Sequence, residues 1–456
     1  MKAVFTAAGL CLAACGIMST PAAAQQSATV EGLIYAPKPI AIPDFDGSSP
    51  QATSIAAQMS EVIRQDLAGS AVFRLIDKAA FVEKDLDINL APRFPDWTVI
   101  QAQALVVGNV VLDAQNNMVT QFRLYDTFNA KELFAQQYTV PTPDNWRRVA
   151  HKVADDIYSQ LTGEQGYFDS RIVFVSESGP VTDRKRRLAI MDQDGANAEH
   201  LLSGVSSVVT PRFSPSSQTI IYSAYVPDSK NPKVTRLRVY LYDIESGRQE
   251  VLSEVADATN FAARFSPDGK SVVMSRSRGG NTDIYVVELA RRTETRLTNS
   301  PSIDTSPSYS PDGKMIVFTS DRGGSPELYI MRSDGGNMAC PAGGTDTACR
   351  ISFGAGQYTT PVWSPRGDWI AFTKQTGGEF GVGVIQPDGK GERMLTDSYL
   401  DEGPTWSPNG RVICFFREAG PGAGPKLWTI DLTGRNLKRL DAHGDASDPA
   451  WSPLLR

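Results

Sequence analysis

The chain has 456 residues, of which 41% are hydrophobic and 21% charged, with 38 Gly and 29 Pro. That length exceeds one ordinary core and that apolar content excludes a disordered chain, so two or three packed, turn-rich domains are expected. A net charge of −6 excludes a general nucleic-acid binder, and three scattered histidines (His151, His200, His443) leave little material for a His-rich metal centre or a His-based catalytic cluster.

Met1-Lys2 opens the chain with one positive charge, and Ala3 to Ile17 is almost wholly apolar or small. Small residues then lead to Ala24, which reads as a secretory signal over residues 1–24 with cleavage after Ala24. Leu12-Ala13-Ala14-Cys15-Gly16 offers a second reading, a lipoprotein box that would lipidate Cys15. The apolar run is too short for a bilayer span, so the mature chain is expected in an exported compartment and not membrane-spanning. Cleavage removes one lysine and no acid, moving the net charge from −6 to −7. It leaves Cys340, Cys349 and Cys414. Cys340 and Cys349 bracket a Gly-rich loop and are candidates for a small disulfide in an oxidising compartment, with a zinc site as the rival reading. Cys414 sits in an apolar strand pattern and reads as a buried free thiol. Residues 25–37 read as a mobile tail.

Residues 38–165 carry helix and strand patterns without a repeat. Ile55, Ala56, Met59, Val62, Ile63 and Leu67 recur at helical spacing within 52–67, as do Val149, Val153, Ile157 and Leu161 within 146–161. Strand-like runs fall at 39–42, 73–76, 105–111, 119–125 and 133–140. This predicts a small α/β domain.

From residue 166 to 456 one phrase recurs. Phe213-Ser214-Pro215 returns at Phe265, Tyr309, Trp363, Trp406 and Trp451, with Pro-to-Pro steps of 52, 44, 54, 43 and 45 residues. That period is one four-stranded propeller blade. Turns such as Pro311-Asp312-Gly313-Lys314 follow, where Pro presets φ and Gly accepts a positive one. Arg171 to Ser176 matches a second strand with no first strand before it. Trp451-Ser452-Pro453 ends a first strand with nothing after it. The two fragments complete one blade, so an all-β six-bladed propeller closed by the C-terminal strand is predicted. Closure protects strand edges that would otherwise invite aggregation.

No Gly-x-Ser-x-Gly elbow occurs, and no histidine has a spaced partner suggesting a metal or a triad. No catalytic residue, cofactor or metal is expected. Loops entering the first strand of each blade should share a face with the loops joining strands two and three. They place Thr259, Asn260, Asp304, Thr305, Tyr358, Thr359, Asp401 and Glu402 around the channel mouth. Basic stretches at 184–187 and at Lys230, Lys233, Arg236 and Arg238 lie on the same face and could steer an acidic partner. The α/β domain should enter on the opposite face, leaving the mouth free. The rival class is a lyase or hydrolase working in the channel with Asp304, Asp401 and Glu402; a scaffold for an outer-membrane insertion machine is a third reading.

An exported chain with a small α/β domain and six such blades resembles the TolB family of the Tol-Pal system. The segments Lys38-Pro39-Ile40-Ala41-Ile42-Pro43-Asp44-Phe45, Phe73-Arg74-Leu75-Ile76 and Arg93-Phe94-Pro95-Asp96-Trp97 add to the likeness. The resemblance implies a periplasmic, partner-binding monomer that supports outer-membrane integrity and constriction in cell division. It implies that the propeller mouth, here Thr259, Asn260, Asp304, Thr305, Tyr358, Thr359, Asp401 and Glu402, binds the lipoprotein Pal. It also implies that the tail, through Gln25, Val30, Glu31, Leu33 and Ile34, binds TolA. Thr259 stands where some relatives carry a histidine.

Overall fold

The structure is a computed structural model describing residues 37–455, apart from 85, 203–206, 228–233, 254 and 256. The first element, β1 (Lys38–Ala41), leads through β2 (Asp46–Gly47) into α1 (Pro50–Gly69). Ser49 caps α1, its Oγ accepting from the Ala52 amide at 3.2 Å, and Pro50 occupies the first turn, where no amide is needed. After β3 (Phe73–Leu75) come a short helix α2 (Phe94–Thr98), then β4 (Ala104–Leu112), β5 (Met118–Asp126), β6 (Lys131–Val140) and α3 (Trp146–Thr162). α3 ends at Gly163, whose φ of 75° terminates it without a Cβ penalty.

The sheet runs β3-β1-β4-β5-β6, with β2 paired to β4. Alternation along the strands sends each residue to one of two cores. Ile40, Val106 and Leu124 face α1 and α3. Ala41, Leu105, Val107 and Tyr125 face the segment around α2, where Trp97 is fully buried and donates from Nε1 to Glu83 at 2.9 Å. The five expected strands and two expected helices are present; α2 and β2 had no periodic signal. The α1/α3 core continues through Tyr167, Phe168 and Ile172 into Val412, Cys414 and Trp451 of the propeller.

Six four-stranded blades follow. The first five are built from inner strands Val208–Phe213, Ala258–Phe265, Asp304–Tyr309, Gln357–Trp363 and Leu400–Trp406, each with three strands outward. In the sixth, the C-terminal strand Asp445–Trp451 is innermost and pairs antiparallel with Arg171–Ser178, Trp451 opposite Ile172. The α/β domain and the six-bladed ring closed by the chain's last strand are thus as expected.

The recurring phrase holds each blade together. Ser310 Oγ accepts from the Met315 amide at 3.0 Å and donates to Asp312 Oδ1 at 2.6 Å, while Asp312 also accepts from the Lys314 amide. Ser266 and Asp268 repeat this geometry. One of the recurring aromatics also bridges blades: Trp406 Nε1 donates to the Val362 carbonyl at 2.9 Å.

Candidate functional site

Every inner strand breaks register just after it leaves the mouth face. At each break one residue takes a left-handed backbone: Thr210, Ala262, Ser306, Thr360, Gly403 and Asp448. These are β-bulges, which re-aim the side chains around them. Two residues before each bulge the side chain is buried: Val208, Asn260, Asp304, Tyr358, Asp401 and Ala446.

Four of the expected mouth residues occupy that inward position, and each is clasped by a cation from the second strand of its own blade or the turn after it. Arg276 Nε donates to Asn260 Oδ1 at 2.7 Å and its guanidinium pairs with Glu294. Arg322 Nη2 meets both Asp304 oxygens at 2.9 Å. Arg417 forks onto Asp401 at 2.6 and 2.7 Å. Tyr358 donates to Glu392 at 2.7 Å, with Lys374 Nζ lying 4.5 Å from its ring centroid and also on Glu392. Aromatic rings back three of the arginines, Arg276 over Tyr285, Arg322 over Tyr329 and Arg417 over Trp428. Asn260, Asp304, Tyr358 and Asp401 are therefore parts of the blade walls.

The other four sit differently. Thr259 is exposed, and Thr305, Thr359 and Glu402 are half-buried. Thr305 Oγ1 lies 3.2 Å from Ser275 Oγ of the neighbouring blade. Burial, reinforced by the nearby Asp448 and Glu418 charges, raises the Glu402 carboxyl above its ordinary value. Large apolar side chains stand exposed on this same face and carried no repeat signal: Tyr225, Ile303, Phe353 and Tyr399. The last three lie in the loops leading into the inner strands of blades three to five. Of the basic stretches, Arg184 and Arg186 are tied to Glu177 at 3.2 and 3.3 Å. Lys230 and Lys233 lie outside the described residues, as do Cys15 and the tail residues Gln25, Val30, Glu31, Leu33 and Ile34.

The opposite face carries the α/β domain. Glu164 pairs with Arg411 in the turn after the fifth inner strand, Asn409 donates to the Gln165 carbonyl, and Asn436 donates to the Gly69 carbonyl. Asp66 on α1 and His151 on α3 meet Asp194 of the sixth blade, the one trio among the described residues that could hold a metal ion. Its charges are already matched: His151 Nδ1 is 2.6 Å from Asp66, Gln193 donates to Asp66 at 2.8 Å, and Arg147 pairs with Asp194. Read from spacing alone, His151 had no partner; Asp66 lies 85 residues away in the chain. The trio acts as a domain latch.

Cys340 and Cys349 are joined, their Cα atoms 5.2 Å apart, across a small hairpin inserted into the third blade. Cys414 is free and buried, and burial raises its thiol well above the usual range. Among the described residues no helix is long and apolar enough to cross a membrane.

Two family models match the chain: the TolB amino-terminal domain over residues 28–133 and the TolB beta propeller domain over residues 158–455. The chain belongs to the TolB family. A curated family member, the Tol-Pal system protein TolB of Gluconobacter oxydans, is 42% identical over 97% of this chain and 94% of its own. The crystal structure of TolB from Acinetobacter baumannii matches with a TM-score of 0.76 and 28% identity, covering 91% of this chain and 97% of that one. Membership of this family agrees with the order of an α/β domain and a closed six-bladed ring.

Proposed function

We propose that this TolB-family chain is a periplasmic component of the Tol-Pal system that works by binding other proteins. In this reading the propeller mouth takes the lipoprotein Pal, the tail over residues 25–37 takes TolA, and the pair of contacts serves outer-membrane integrity and constriction in division. One observation carries the Pal half: the face turned away from the α/β domain bears Tyr225, Ile303, Phe353 and Tyr399 exposed beside the accessible Thr259, Thr305, Thr359 and Glu402. Exposed aromatic and aliphatic anchors with a polar surround are the composition of a protein-binding surface. The clasped residues Asn260, Asp304, Tyr358 and Asp401 shape that surface from behind.

The channel-enzyme reading has less support. It needs paired acids free to exchange protons. Asp304 and Asp401 are fully buried and held in two-point contacts by Arg322 and Arg417, which leaves Glu402 alone.

Calorimetric titration of the mature chain with Pal tests the proposal. Tyr399→Ala and Phe353→Ala are each expected to weaken binding by roughly tenfold, about 1.4 kcal/mol, with unchanged unfolding midpoints. Deleting residues 25–37 is expected to abolish TolA binding. Wild-type Pal affinity in both point variants would place the contact elsewhere.

A further inference from the structure

The half of the propeller channel away from the mouth is a cavity of about 780 Å³, lined by the Ser-Pro turns and by Gln165 of the interdomain segment. In every blade the residue before the recurring aromatic also lines it. Around the ring these are Arg212, Arg264, Ser308, Val362, Thr405 and Ala450. Two arginines from adjacent blades therefore line one cavity.

Their surroundings supply little to balance them. Arg212 donates Nη1 to the Pro211 carbonyl at 2.7 Å and feels the Asp448 charge without an ion pair to it, and Glu245 is the acid among the residues lining the cavity. Among the described residues Arg264 has no carboxylate partner and no side-chain hydrogen bond, and it lies close enough to Arg212 to be repelled by it. Burial lowers both guanidinium groups from their usual range, more strongly for Arg264. Ser308 and Thr405 Oγ accept from the Trp363 and Trp451 amides at 3.2 and 3.1 Å, and no acceptor among the described residues takes their own protons. The ring is thus rich in donors and poor in acceptors. Both arginines are half-buried in the channel wall, and a charge drawn partly out of water without a partner gains from an opposite charge.

We infer that this half of the channel is a binding site for a small oxyanion of phosphate or sulfate size, held between Arg212 and Arg264 with the Ser308 hydroxyl as a further donor. Such a ligand is all acceptor, and a planar guanidinium meets its oxygens two at a time. It sits behind the mouth and is independent of which protein the mouth binds.

Thermal unfolding and calorimetry of the full mature chain with inorganic phosphate test this, against sodium chloride at equal ionic strength. Phosphate is expected to raise Tm saturably above the chloride control and to give a one-site isotherm. Arg264→Gln is expected to weaken phosphate binding by roughly tenfold or more. Its Tm without phosphate should not fall, because the variant removes a charge that nothing balances. Arg264→Lys keeps the charge but loses the fork, and should bind at an intermediate level. Equal effects of phosphate and chloride would overturn the inference, as would a phosphate response unchanged in either variant.

Discussion

His151 on α3 and Asp66 on α1 share a hydrogen bond of 2.6 Å, both buried where the α/β domain meets the sixth blade. Burial alone would lower the imidazole pKa; the Asp66 carboxylate, helped by Asp194 and Asp192, outweighs it and raises the value from 6.5 to about 9. Asp66 is itself pushed up by burial, against the pull of His151. A group raised on folding stabilises while it holds its proton. The His151 contribution is therefore complete below about pH 6.5 and is lost as pH rises through about 9.

His151→Ala is accordingly expected to cost about 3 kcal/mol near neutral pH, since it leaves the Asp66 carboxylate buried without a countercharge and with the Gln193 amide as its remaining donor. That penalty should shrink as pH is raised to about 10, where the wild type has lost the same proton. Denaturant midpoints for both chains across this range measure it. A penalty independent of pH would rule out a charged imidazole in the latch.

The mouth clasps make a second expectation. Asp304 is fully buried, while the Arg322 side chain keeps 23% exposure. Removing the acid strands a cation that can still reach some water, so Asp304→Ala is expected to cost about 2 kcal/mol, below the full range for a wholly buried pair. Replacing both partners, with Asp304→Leu and Arg322→Met, should recover most of that loss. Urea unfolding of the single and double variants decides the point, and an equal or larger loss in the double variant would contradict it.

The blade count and the ring closure were legible because each depends on a local phrase: an aromatic before Ser-Pro, and a turn requiring Gly at positions such as Gly313, with a φ of 72°. The orientation of the mouth residues was not. Whether Asn260 or Thr259 points inward depends on the bulge that follows, and five of the six bulges use Thr210, Ala262, Ser306, Thr360 and Asp448 in a left-handed conformation that such residues seldom adopt. Only Gly403 marks its bulge by residue type. The His151 latch was hidden for a different reason, because its partners come from α1 and from a turn of the sixth blade. The channel arginines were visible in retrospect, as the residue before each aromatic, once the structure shows that this position faces the axis.

The disulfide closes a short loop, with a sequence separation of 9 between Cys340 and Cys349. Restricting a loop of that size in the unfolded chain stabilises by about 2–3 kcal/mol on the chain-entropy account. Residues 341–347 are exposed, and Ile351 beside the bridge is buried in the core between blades three and four. Replacing both cysteines by serine is therefore expected to lower global stability by about 2 kcal/mol or less and to speed amide exchange mainly in 338–350. Exchange spread evenly over all six blades would show that the bridge restrains more than its own hairpin.

Ring closure rests on Trp451 more than on its counterparts. Its Nε1 donates to Ser170 at 2.8 Å, its amide reaches Thr405 in the fifth blade, and its ring stands edge-on to Tyr167 at 5.9 Å. The side chain thus ties the last strand to the interdomain segment, while the backbone of the same residue reaches the neighbouring blade. Trp363 occupies the same repeat position, but its Nε1 bonds only within its own turn, to the Gly367 carbonyl. Trp451→Ala is expected to cost about 4 kcal/mol, near the upper end for a large aromatic truncation, and Trp363→Ala about 3 kcal/mol. Trp451→Phe should separate the terms, losing about 1 kcal/mol for the hydrogen bond while keeping most of the packing. Limited proteolysis adds a local readout. If the C-terminal strand is the closing element, Trp451→Ala exposes residues 445–455 to cleavage well before the rest of the propeller, whereas uniform cleavage would mean that closure is held elsewhere.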